Sequence, residues 1–185
     1  STSSSAGALS LTVEDTDPSV ITVNTATSVP SFSVVEDSGV TQFKDITAPT
    51  YSVSAVDGVS STVEYKLVAT ADTDTGLQTT VGGYAITLEV VDSYTVNGVY
   101  TDDQAVKHTA FTVAVDNTTD QVAFTSFDAL EHSNTQLDTG EDNTLDLASL
   151  ISLNATITAT DGDGDVVSTS SSAGALSLTV EDTDP

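Results

Sequence analysis

Residues 1–18 read STSSSAGALSLTVEDTDP, and residues 168–185 repeat them letter for letter. The offset, 168 − 1, is 167 residues. Chance does not produce such an identity, and selection for a fold alone would not hold the Ser and Thr positions fixed. The repeat points to tandem duplication, with this chain a window on an array. The period is too long for a solenoid, whose repeats run to about 20–50 residues. It is the length of a whole domain. The expected division is therefore 1–18 as the closing strand of a preceding repeat (or the first strand of this one) and 19–185 as one module. An orphaned closing strand carrying Leu9, Leu11 and Val13 is expected to pair with a sheet edge, its own module's or a neighbour's.

A unit of this size can bury its own core. Its charge is extreme: 28 acidic residues face three basic ones, Lys44, Lys66 and Lys107, for a formal net charge of −25. A nucleic-acid partner is excluded on this count, because phosphates need Lys and Arg to neutralise them. An anionic membrane surface is disfavoured for the same reason. Such a chain repels itself when compact, and salt or divalent cations are the natural remedy. Low aromatic content and high charge are marks of disorder, but the apolar residues are patterned, which argues for a fold. There is no cysteine, hence no disulfide or thiol chemistry. No apolar run is long enough for membrane insertion. No signal peptide is recognisable, as expected of a window from mid-array.

The pattern has period 2. Leu9, Leu11 and Val13 alternate with polar or small neighbours, as do Val63, Tyr65, Leu67 and Ala69. So do Tyr84, Ile86, Leu88 and Val90, then Phe111, Val113 and Val115, then Leu153, Ala155, Ile157 and Ala159. Short runs at 20–23, 32–35, 51–56 and 121–127 complete about ten strands. Asp57-Gly58 predicts a turn, and Asn97-Gly98 predicts a hairpin between 94–96 and 99–100. Residues 71–76 read as an acidic loop and 128–143 as a long polar loop. Residues 145–151 are ambiguous between helical turn and strand. The fold class is all-β, an Ig-like or Greek-key β-sandwich module.

The sharpest local signal is Asp161-Gly162-Asp163-Gly164-Asp165. Carboxylates at i, i+2 and i+4 with glycines between them can turn tightly and converge. Hard cations want such oxygen ligands, and calcium takes six to eight of them. The pattern is not an EF-hand, since Val166 and Ser172 stand where that loop needs Gly and Glu. The competing reading is a solvated acidic turn. A second acidic group, Glu181, Asp182 and Asp184 before Pro185, lies at the module joint. Its copy is Glu14, Asp15 and Asp17 before Pro18. Both are candidate calcium ligands, against the alternative of a capped, solvated strand end. The pairs Asp72/Asp74, Asp102/Asp103 and Glu141/Asp142 read as surface. His108 and His132 are isolated, no Gly-x-Ser-x-Gly occurs, and Trp is absent. The sequence therefore reads as non-enzymatic, with no small-molecule substrate.

Residues 128–185 resemble the C-terminal half of the T1SS-143 type repeat of giant bacterial RTX adhesins. The resemblance rests on Ala-Leu-Glu-His at 129–132, Thr-Ala-Thr-Asp-Gly-Asp-Gly-Asp at 158–165 and the acidic ending Glu181–Pro185. It extends more weakly over 19–127, and the ending departs from the family's more usual Asp-Asp-Gly-Pro. The resemblance implies an extender module in a chain exported by type I secretion to the bacterial cell surface. Neighbouring repeats would be its partners, calcium would stiffen it, and it would project distal domains for adhesion and biofilm formation. The alternative is a calcium-dependent carbohydrate- or surface-binding domain. Near-identical tandem copies suit a spacer, whereas a receptor-binding domain is usually single.

Overall fold

The computed structural model describes residues 12, 20–35, 39–55, 58–132, 145–146 and 150–181. Every regular element among them is a strand. The longest sequence alternation becomes β13 (Ile151–Asp161), flanked antiparallel by β5 (Val59–Ala69) and β14 (Val166–Ala175). Its inward residues Ile151, Leu153, Ala155, Ile157 and Ala159 are all buried. A second sheet follows the order β11-β6-β7-β8-β9-β10-β3. Its strands are β3 (Thr41–Asp45), β6 (Asp74–Thr79), β7 (Ala85–Val90), β8 (Thr95–Thr101), β9 (Lys107–Asp116), β10 (Gln121–Ser126) and β11 (Leu130–His132). Tyr65 and Leu67 of β5 and Leu153 of β13 share one buried cluster with Ile86, Leu88, Phe111 and Phe124 of this sheet. Two sheets closing over one core make a β-sandwich module, as the alternation predicts.

The large sheet is strongly curled. Only residues 127–129 separate β10, which pairs with β9, from β11, which pairs with β6. One run of chain therefore reaches both edges of the β6–β9 meander. Phe127 N–H donates to Ala110 O, and Thr80 N–H donates to Ala129 O across this crossing. The sheet's far flank, β3, pairs with β10.

Two smaller pairings complete the module. β1 (Val20–Thr25) pairs with β4 (Thr50–Ser54). β15 (Leu178–Glu181) lies between β2 (Phe32–Val35), to which it runs parallel, and β12 (Leu145–Asp146). The second copy of the repeated stretch thus supplies most of β14 and all of β15, both built into this module's sheets. Most of the first copy, including Leu9, Leu11 and Val13, lies outside the described residues, so its expected edge pairing does too.

The register fixes where the chain enters and leaves. Val20 pairs with Ser54, and residues 55–58 lead from there to Val59, which pairs with Asp161. Tyr51 Oη lies 2.7 Å from Ser61 Oγ, which keeps β4 beside the start of β5. At mid-length Thr27 N–H donates to Ser171 Oγ. Phe32 N–H then donates to Ser177 O, and Leu176 N–H to Ile151 O, at the other end of β13. With a rise of about 3.4 Å per residue, Ile151 and Asp161 are about 34 Å apart. β15 continues beyond Ile151. Val20 and Glu181 therefore lie at opposite poles of an elongated module.

Three local readings need correction. Asn97-Gly98 is not a hairpin turn; it lies inside the continuous strand β8. Gly98 is there because the Phe111 ring presses on it: a Cβ would sit 2.2 Å from Phe111 Cε1. The ladder with β9 bulges between Gly98 and Val99, a common use of glycine in a strand. The acidic stretch 71–76 is partly strand, since β6 begins at Asp74, and β11 interrupts the loop expected at 128–143.

The free edge of β5 is covered rather than left open. Asn117 Oδ1 accepts from Tyr65 N–H at 2.7 Å, Asn117 Nδ2 donates to Tyr65 O, and Leu67 N–H donates to Ser93 O. These contacts lock the two sheets together and blunt an edge that would otherwise invite pairing. Asn117→Ala should cost about 1–3 kcal/mol, because it strands two backbone groups beside buried Tyr65. Gly98→Ala should cost a similar 1–3 kcal/mol through overpacking against Phe111. Urea denaturation checks both; a loss under 0.5 kcal/mol for either would show that its contact is not made.

Candidate functional site

Asp161, Asp163 and Asp165 occupy the hairpin between β13 and β14. The ladder holds to the pair Thr160–Val166, and Asp161 N–H donates to Asp165 O at 3.1 Å. Gly164 has φ +105°, a conformation L side chains rarely adopt, so glycine is required there. The turn folds back on the Asp161 side chain. Asp161 Oδ1 accepts from Gly164 N–H at 3.1 Å and from Asp165 N–H at 2.9 Å.

The other oxygen is different. Asp161 is only 8% exposed, and its Oδ2 is buried without a hydrogen-bond partner. A buried, unpaired carboxylate oxygen is costly. Asp163 is exposed and Asp165 half-buried, and each contributes an oxygen to a set lying within 4.8 Å of one another. The spacing seen in the sequence therefore does converge in space, and the cluster can hold a metal ion. The ligand type suits a hard cation, and the orphan Oδ2 is where one would supply the missing partner.

Of the remaining sequence candidates, one falls among the described residues. Glu181 ends β15 at the opposite pole. Glu14, Asp15, Asp17, Asp182 and Asp184 lie outside the described residues.

A second feature has no sequence signature. At the mouth of the curled sheet, an open cleft of 330 Å³ lies between the β6–β7 turn, the β8–β9 turn and the crossing at 128–129. Tyr84, Tyr100 and His108 stack across it. Tyr84 and Tyr100 have ring centroids 5.6 Å apart and planes 6° apart; Tyr100 and His108 are 5.1 Å apart. Tyr100 and His108 face each other in the β8–β9 register. Asp102 Oδ2 lies 2.8 Å from His108 Nε2, while Oδ1 accepts from the Gln104 and Val106 amides. His108, first, and the Val106 amide, second, hold the Asp102 carboxyl below its ordinary range. Burial, with the Asp128 carboxylate beside it, pushes the Tyr100 phenol up. The sequence hides this group because its members come from two strands, two turns and a crossing segment.

No curated protein and no solved structure matches the chain. A family model described as a domain of unknown function, DUF5801, matches residues 10–174. That span, 174 − 10 + 1 or 165 residues, nearly equals the 167-residue period, and the chain belongs to the DUF5801 family.

Proposed function

We propose that this module is a structural extender in a tandem array on a bacterial surface adhesin of the T1SS-143 type. Its role is mechanical, and calcium stiffens it. The observation that carries the reading is the placement of Val20 and Glu181 at opposite poles of a unit whose sequence repeats. Such a unit can be linked head to tail with little doubling back. Each copy then adds length.

The Asp161–Asp165 turn lies at the entry pole, beside Val20. In the sequence Glu14, Asp15 and Asp17 stand three to six residues before Val20, so in the array the preceding repeat would approach this pole. Three carboxylates fall short of the six to eight oxygens calcium takes. The preceding repeat's acids, or water, would complete the shell. Without the ion, like charges gather at the joint and repel, so the joint flexes. With the ion, the repulsion is neutralised and the joint stiffens. Glu181 at the exit pole, with Asp182 and Asp184 next in sequence, would serve the following repeat. Export by type I secretion, an extracellular location and a part in adhesion and biofilm formation follow from the T1SS-143 resemblance.

Extracellular modules bind calcium with dissociation constants of about 10⁻⁴–10⁻³ M. At free calcium about 100-fold above that constant, one site adds about 2.7 kcal/mol. For a domain of this size that is about 5–10 °C in transition temperature. Calorimetry in EDTA and in excess calcium should show this rise. Asp161→Asn should abolish it while raising the transition measured in EDTA, because it removes one of three clustered charges. An equal transition temperature with and without calcium would sink the calcium part of the reading. Small-angle scattering of a two-module chain tests the array part: chelation should shorten the maximum dimension.

A further inference from the structure

The cleft at the mouth of the curled sheet is independent of the array reading. Barrel mouths are a preferred place for ligands, and this one has a definite chemistry. Its wall is the aromatic stack, but the stack offers little flat surface. Both faces of Tyr100 are covered, one by Tyr84 and the other by His108. Tyr84 is in turn crowded by Gly82, where a Cβ would lie 2.3 Å from Tyr84 Cε2. A sugar ring needs an open aromatic face to lie on, so the stack is a poor sugar platform. It serves as an apolar wall instead.

The charge is one-sided. Asp102 is committed to His108 and two amides. Asp103 and Asp128 also line the cleft. Among the described residues no cationic side chain pairs with either of them. An anion is repelled here, and a purely apolar ligand leaves both carboxylates without a counter-charge, since the Tyr100 phenol that meets Asp128 is neutral. A cation on an apolar stem satisfies both parts. The stem lies along the Tyr84–Tyr100–His108 wall, and the charged head meets Asp103 and Asp128. The field of a chain at −25 raises the local concentration of such ligands.

We infer that this cleft binds an organic cation, a primary ammonium group on an alkyl stem. Its source is a free diamine or a lysine side chain of another protein. Amide NMR titration of the whole chain tests this, run with EDTA present so that the Asp161 turn plays no part. Salt at about 150 mM suppresses diffuse surface attraction. One arm uses cadaverine and the other a lysine blocked at both backbone ends. Saturable shifts centred on Tyr84, Tyr100 and His108 are expected. Response to cadaverine alone identifies a free diamine as the source, and response to blocked lysine alone identifies a protein side chain. Asp103→Asn, at an exposed position, should weaken binding at least threefold. Adding Asp128→Asn should weaken it at least tenfold. Asp72→Asn, away from the cleft, should leave it unchanged. Shifts that spread over the acidic surface without saturating would overturn the inference. So would wild-type affinity in Asp103→Asn, or shifts at these residues with a methyl glycoside in place of the amine.

Discussion

The module depends on β13 being paired along both edges. Its ladder with β5 runs from Ile151–Ala69 to Asp161–Val59, and its ladder with β14 from Ser152–Ala175 to Thr160–Val166. A central strand of this length is a ruler. The half near Ile151 presents Leu153 and Ala155 to the core shared with the curled sheet. The half near Asp161 buries Ile157 and Ala159 outside that cluster, where β4 lies alongside β5 through Tyr51 and Ser61. Removing either ladder would leave a row of unpaired backbone groups beside an apolar face. The strand also sets the position of the acidic turn, because Asp161 is both its last ladder residue and the pivot of the hairpin.

The same strand explains why one of three similar carboxylates differs from the others. Asp161 is still in the sheet, with the burial pattern of an inward position, so its side chain points where Ala159 and Ile157 point. A carboxylate there must find partners in the protein. The hairpin supplies two amides to Oδ1 and none to Oδ2. Asp163 sits at the exposed tip, where water can solvate its charge. Asp165 keeps an interaction and is half-buried. The turn is therefore asymmetric, with one deep oxygen and a rim of shallower ones, which distinguishes it from a loop of solvated aspartates.

How much of this was legible in the sequence depends on whether the information was local. The β13 alternation is local, since Leu153, Ala155, Ile157 and Ala159 against Asn154, Thr156, Thr158 and Thr160 needs no partner to be read. The convergence of Asp161, Asp163 and Asp165 is local too, because one tight turn creates it. Asn97-Gly98 misled because its turn signal is local while its strand conformation is imposed by Phe111, thirteen residues on across the ladder. β3, with sequence Thr-Gln-Phe-Lys-Asp, carries almost no apolar pattern; β10 recruits it, and Phe43 remains 62% exposed. The cleft was unreadable for the same reason. Tyr84, Tyr100, His108 and Asp128 are ordinary surface residues until strand register and the β10–β11 crossing bring them together.

On the extender reading, the charge that looks like a burden in one module becomes a rule for how modules meet. Side by side, two rods of this composition present carboxylates to one another along their length, with only three lysines per 185 residues to offset them. Lateral association is therefore opposed everywhere. End to end, Asp161, Asp163 and Asp165 cluster at the entry pole, and one carboxylate oxygen there is buried without a partner. A divalent ion gains most where several carboxylates can share it and solvent is partly excluded, because the attraction is least screened there. Diffuse surface aspartates offer no such place. The same ion that leaves the flanks repulsive would thus make the head-to-tail contact favourable. An array built this way lengthens along one axis and resists clumping along the others, without a hydrophobic interface between its modules.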